Sequence, residues 1–329
     1  MDFLSVLSFA VFFLIFASFF SLTSLGLNMQ WGFTGLFNVG VVGFYAIGAY
    51  TSAIVTGPAY PDTLFGGFGL PVPLGYLAAI LTSALAAFVV GFVTLRLRED
   101  YLAISTFGIA VTIQLLALNL QSVTRGPNGL YSLPKPFSGL SASNLVDNLL
   151  YLLICLACIG AVYWAFERMV RSPWGRVLRA IREDETAAAA LGKNVFAYRL
   201  QAFVLGCAVM GLAGALYANF IGYISPQDFV PIFTFQVYVM LIVGGSGNNR
   251  GAILGGLVVW ALWSGSGGLI AAVLPPDLQT QAAAVRIVLI GLILVLMLLY
   301  RPAGILRERH IVSHEARMGD GARPPAADA

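Results

Sequence analysis

A succession of long apolar stretches almost empty of charge constrains this chain more than any other feature. A helix needs about 20 apolar residues to cross roughly 30 Å of hydrocarbon at about 1.5 Å per residue. Stretches of that kind recur at residues 3–27, 32–56, 70–95, 101–120, 145–166, 200–221, 232–244, 251–273 and 284–300. Hydrophobic residues make up 59% of the chain and charged residues 10%, against about 25% charged in an ordinary soluble domain. A polypeptide of this kind has too little polar surface to cover itself in water. The pattern therefore predicts an all-α, polytopic integral membrane protein of about nine transmembrane helices, eight to ten because the seventh stretch is short and the eighth glycine-rich.

The first stretch is expected to be a true span and not a cleavable signal, since Asp2 stands where a basic segment should be and the apolar run is long. The charges that exist are clumped into residues 167–199 and 301–329. With nine alternating spans, fifteen of the 18 Lys and Arg residues fall on one side, including Arg96, Arg98, Arg250 and the loop 167–199. The positive-inside rule makes that side cytoplasmic, which places the N-terminus outside and the C-terminus inside. The organisation expected is a membrane domain over 1–306, interrupted by the cytoplasmic loop 167–199, and a disordered polar tail over 307–329. A net charge of +3 spread over loops gives no basic face for nucleic acid.

Several motifs have a plain reading beside a chemical one. Cys155 and Cys158 form a C-x-x-C pair inside a span, with neither a second pair nor a nearby His, and read as buried small hydrophobes. His310 and His314 lie in the polar tail without a third ligand, so no metal site is expected. Gly192 and Lys193 do not complete a phosphate-binding G-x-x-x-x-G-K-[ST] loop, and ATP hydrolysis by this chain is not expected. Asp100, Asp147, Glu167 and Asp228 stand at span edges, which disfavours a carboxylate relay within the membrane. The intramembrane polar groups are neutral: Asn38, Tyr45, Thr106, Gln114, Asn119 and Gln236 either bond across helices or line a solute path. The glycine clusters, with Gly35 and Gly40 in the second span and Gly244, Gly245 and Gly247 after the seventh, either allow close helix packing or break helices along such a path.

The cytoplasmic loop is predicted to be helical, starting at Pro173 and running from Trp174 to a stop at Gly192. It carries Arg179, the acidic run Glu183, Asp184 and Glu185, and the small face of Ala187 and Ala188 before Leu191. A helix with a small-residue face either docks into another protein's groove or is simply solvated. The loop resembles the ATPase-contacting loop of ABC importer permeases, in particular the branched-chain amino-acid permease family and its M-type member. Leu27 to Tyr50, Asp100 to Thr106, Gly126 to Leu130, Gly244 to Gly256 and Arg301 to Gly304 carry the same resemblance. In the second span this chain has Asn38 and Val41 where family members commonly carry Ser and His, and many members have a further N-terminal span.

The resemblance implies a permease subunit of a bacterial inner-membrane importer for branched-chain or other small aliphatic amino acids. It further implies a second homologous permease, two cytoplasmic ATPases that bind ATP and Mg, and an extracytoplasmic binding protein. On this basis Arg179, Glu183, Asp184, Glu185, Ala187, Ala188, Leu191 and Gly192 are the candidate ATPase-coupling residues, and no cofactor is expected in the chain itself. A urea or monosaccharide permease of similar glycine-rich make-up, or a carrier or channel working without an ATPase, stands as the alternative.

Overall fold

The computed structural model describes residues 3–137 and 144–273, and positions 285, 288, 291–292, 295–297, 299–301 and 303–308. Apolar runs become helices: α1 Phe3–Leu27, α2 Val41–Thr56, α3 Val72–Thr94, α4 Glu99–Asn119, the one-turn α5 Gln121–Thr124, α6 Asn144–Arg171, α7 Pro173–Glu183, α8 Glu185–Ala190, α9 Val195–Ile221, α10 Ile232–Gly244 and α11 Asn249–Val273. Pro73 and Pro173 fall in the first turns of α3 and α7, where a missing N–H breaks no helical bond. Among the described residues six helices are long and apolar enough to cross a membrane, and α2 is a shorter apolar helix. The protein is an all-helical, multi-pass membrane protein. The expected span 284–300 is described only at scattered positions, and His310, His314 and the tail beyond Glu308 lie outside the described residues.

Helix α9 is buried on nearly every side and packs on α1, α2 and α3, while α1, α10 and α11 form a second packed group. A helix that is apolar all round belongs in such an interior. Its crossing with α2 is made of glycine: a side chain on Gly48 would overlap the backbone of Gly211. In the same way Gly255 lets α11 lie against the Met240 carbonyl of α10. Outward faces of α3, α4 and α6 remain apolar and exposed, as at Leu81, Ile104 and Leu153, which suits helices bathed in lipid.

Two boundaries differ from the sequence reading. The second span was expected to start at residue 32, yet the helix begins at Val41. Helix α1 continues instead as a π-helical turn, Asn28–Gly32, and stops at Gly35 in a left-handed conformation with φ +76. Residues 35–40 then cross the interior as a bend. The loop helix is also two helices, because Asp184 has extended backbone and caps α8. At the opposite end of the bundle a two-residue ladder, β1 Leu130–Tyr131 against β2 Tyr223–Ile224, ties the loop after α5 to the end of α9. Arg125 braces that end by pairing with Asp62 at 3.1 Å and lying over the rings of Tyr60 and Tyr131.

Candidate functional site

The bend at residues 35–40 leaves backbone groups that have no helical partner, and in hydrocarbon each must find one. Thr106 on α4 accepts from the Val39 N–H at 3.0 Å, Asn38 Oδ1 from Gly40 N–H at 2.8 Å, and Thr234 on α10 from Val42 N–H at 3.2 Å. The Asn38 amide donates to Gln30 Oε1 at 2.8 Å, Gln30 donates to the Phe203 carbonyl at 2.8 Å, and the Tyr238 hydroxyl donates to the Asn38 carbonyl at 3.0 Å. Asn38, Thr106, Gln30 and Thr234 are all fully buried. The structure thus joins Asn38 and Thr106 in one network that closes the bend.

The other candidates lie apart from it. Gln114 donates to the Pro226 carbonyl at 3.1 Å, bracing α4 against the turn between α9 and α10. Asn119 is exposed and donates back to Leu115 within its own helix. Gln236 is half-buried on α10. Tyr45 stands in a cavity of about 180 Å³ between α1, α2, α9, α10 and α11, with Phe16, Phe19, Phe20, Tyr217, Asp228, Phe233 and Trp260. The indole of Trp260 stacks on Phe16 at 5.3 Å, and its buried Nε1–H has no hydrogen-bond partner among the described residues. Asp228 is exposed at the rim and uses one oxygen to cap the turn at Ser225. Pockets for drug-sized ligands run about 300–1,000 Å³, so this one suits a smaller solute. Aromatic walls, one free N–H donor and one carboxylate can between them hold an aliphatic chain, an anionic group and a cationic one.

A second cluster lies at the other end of the bundle, beneath α7 and α8. Asn28 in the π-turn donates to Asn249 at 3.0 Å and accepts from the Gly247 N–H at 2.9 Å, and Asn249 donates to Glu167 at 3.1 Å. Gly245, with φ +112, lets the loop between α10 and α11 fold onto the chain segment at 303–306, where the Leu306 N–H donates to the Gly244 carbonyl at 3.0 Å. Arg182 on α7 reaches into this cluster, donating to the Gly32 carbonyl and pairing with Glu308 at 2.9 Å. Gly35 packs directly on its stem. Gly40 and Gly244 likewise sit at close backbone approaches around the bend and this loop, and Gly247 faces the Glu308 side chain.

Helices α7 and α8 present the predicted coupling residues. Asp184 accepts from Ala187 N–H at 3.0 Å and from the Thr186 hydroxyl at 2.7 Å, and these bonds, the Ala187 one foremost, hold its carboxyl below the usual carboxylate range. Glu185 pairs with Arg199 at 2.8 Å, Arg179 donates to the Val170 carbonyl at 3.2 Å, and Glu183 is exposed. Ala188 points inward against Ile181 and Val195, so the outward face of α8 is Ala187, Ala189, Ala190 and Leu191, the last 79% exposed. Gly192, with φ +75, ends the helix in the left-handed turn that lets Lys193 N–H reach the Ala188 carbonyl.

Sequence reasoning missed Gln30, Asn28, Asn249, Arg182, Asp228 and Trp260. Asn249 had a local signal, since it lies in the glycine-rich motif at 244–256. Trp260 had none, because its partners are scattered over five elements.

The chain matches the model of a family described as "branched-chain amino acid transport system / permease component" over residues 9–298. It is 34% identical over 304 residues to the high-affinity branched-chain amino acid transport system permease protein LivM of Salmonella typhimurium and 33% identical to that of Escherichia coli, covering 86% of this chain in each case. The chain spans 66% of the length of those two relatives. A probable LivM of Methanocaldococcus jannaschii is 27% identical over 321 residues, 89% of this chain and 91% of that protein. No solved structure matches the chain.

Proposed function

The chain belongs to the branched-chain amino-acid transport permease family, and from that membership we propose that it is a permease subunit of a bacterial ABC importer, carrying branched-chain or other small aliphatic amino acids across the inner membrane. Its partners in this reading are a second, homologous permease, two cytoplasmic ATPases that bind ATP and Mg and perform the hydrolysis, and an extracytoplasmic binding protein. The N-terminus lies outside and the loop 167–199 and the C-terminus lie in the cytoplasm.

The observation that carries the reading past family membership is the reach of Arg182. A loop helix that only floated in solvent would have no reason to place a guanidinium on the carbonyl of the π-turn and on Glu308. Displacing α7 and α8 moves that guanidinium, and with it the junction of α1, the bend and the α10–α11 loop, so an ATPase that grips the exposed face of α8 has a lever on the membrane core. The aromatic cavity supports the cargo class. Its walls suit an aliphatic side chain, the Trp260 N–H a carboxylate, and Asp228 with the tyrosine faces an ammonium. The neutral network at Asn38 ties the bend to α4, α9 and α10.

The test is uptake of radiolabelled leucine, valine, urea and ribose by proteoliposomes holding the co-expressed complex, with and without internal ATP. ATP-dependent leucine or valine uptake is expected. Arg182→Ala should lower uptake per assembled complex about tenfold while ATPase subunits still co-purify, since charged hydrogen bonds are worth about 1.5–3 kcal/mol. Uptake without any ATPase, or preference for urea or ribose, would overturn the reading.

A further inference from the structure

A basic pocket of about 490 Å³ opens where α3 ends, beside α8 and the start of α9, and no step of the transport reading uses it. Arg96, Arg98 and Arg199 line it together with Glu185 and Phe196. Three guanidiniums face one carboxylate. Arg199 is 12% exposed along its side chain and gives one edge to Glu185, while its buried Nε–H has no partner among the described residues. Among the described residues neither Arg96 nor Arg98 pairs with a carboxylate. Arg96 lies against the rings of Phe92 and Phe196, 5.0 and 5.5 Å from their centroids, contacts that position the guanidinium without neutralising it. A buried N–H without an acceptor, beside two unpaired guanidiniums, calls for an anion with several oxygens, and guanidiniums match a phosphate in bidentate fashion.

What leads into the pocket decides which phosphate. Leu81, Leu85, Val89 and Val93 stand four residues apart on α3, exposed at 68%, 65%, 60% and 66%, and form one apolar stripe that leads to the arginines beyond its end. The stripe spans 12 residues, about 18 Å at about 1.5 Å per residue, close to half of a roughly 30 Å hydrocarbon core. A free phosphate has no use for such a stripe. We infer that this pocket binds the phosphate headgroup of an anionic phospholipid whose acyl chain lies along the α3 stripe. Because Arg199 also holds Glu185, the lipid phosphate shares a ligand with the first residue of α8.

The experiment uses the full-length chain with its co-purifying subunits in mild detergent. Native mass spectrometry counts retained lipid after titration with phosphatidylglycerol, with phosphatidylcholine, or with phosphatidylglycerol in the presence of millimolar inorganic phosphate. The parent should retain phosphatidylglycerol in preference to phosphatidylcholine, and inorganic phosphate should not displace it. Arg96→Gln with Arg98→Gln should weaken that retention by about tenfold or more, since each basic residue near the surface is worth about 1 kcal/mol to an anionic lipid. Both side chains are exposed, so melting should match the parent. A second variant, Val89→Ser with Val93→Ser, should weaken retention while leaving the arginines in place. Equal retention in parent and arginine variant, no preference over phosphatidylcholine, or displacement by inorganic phosphate would each overturn the proposal, the last by making the pocket a site for soluble anions.

Discussion

Asn38 and Trp260 put the same question to two buried polar groups and receive opposite answers. The Asn38 amide is engaged on both sides, giving a hydrogen to Gln30 and accepting one from Gly40. Trp260 has a buried N–H that meets no acceptor among the described residues, in a cavity that also holds Tyr45. Removing a paired group leaves its partners unsatisfied at about 1–3 kcal/mol, whereas removing an unpaired one relieves a cost. Asn38→Ala should therefore lower the detergent melting temperature. Trp260→Phe should leave melting unchanged or raised, and should increase the amino-acid concentration needed for half-maximal uptake several-fold, the worth of one hydrogen bond at about 1 kcal/mol. Melting by differential fluorimetry and uptake in vesicles separate the two effects. Unchanged uptake in Trp260→Phe would remove the indole from the cargo site.

Helix α8 shows how little of six residues' roles can be read without their neighbours. Its alanines at 187 and 188 look equivalent in sequence, yet Ala188 is buried against Ile181 and Val195 while Ala187 is exposed. Ala188→Trp should therefore overpack the loop itself, at about 1–3 kcal/mol, and lower melting. Leu191→Ser should leave melting intact and weaken ATPase retention, measured by co-purification; full retention would take the outward face out of the docking surface. Spans at the level of helix and loop were legible because twenty-residue apolar runs have few other fates in lipid. The start of α2 was not, since Gly32 to Gly40 is as apolar as a helix and the groups that stabilise its bend, Thr106 and Thr234, lie 67 and 192 residues from their backbone partners. The break at Asp184 left a local trace, an Asp followed by Glu and Thr, the chemistry of an N-cap. The cavity left none beyond the crowding of Phe16, Phe19 and Phe20 on α1, because its remaining walls come from distant elements. The bend, by contrast, drew two of its members, Asn38 and Thr106, into the sequence reading through their polarity alone.

At the scale of the whole molecule, charge and packing divide the chain the same way. Arg182, Arg250, Arg307 and the α7–α8 loop gather at the end where Asn28, Gly247 and Asn249 meet, and Arg125 sits at the other end with Tyr60, Tyr131 and the short β ladder. The positive-inside rule acts on the first of these sets, and on that ground we propose that end as the cytoplasmic one. Thr186 and Leu64 report on the two ends because both are exposed, Leu64 at 91%. Cys155, Cys158 and Cys207 are free thiols on α6 and α9 and must first be replaced, with Cys207 changed to Ser so that Gln30 keeps an acceptor. In intact cells an impermeant maleimide should then label Leu64→Cys and spare Thr186→Cys, and permeabilised cells should label both. Labelling of Thr186→Cys before permeabilisation would invert the orientation, and with it the side from which an ATPase could reach α8.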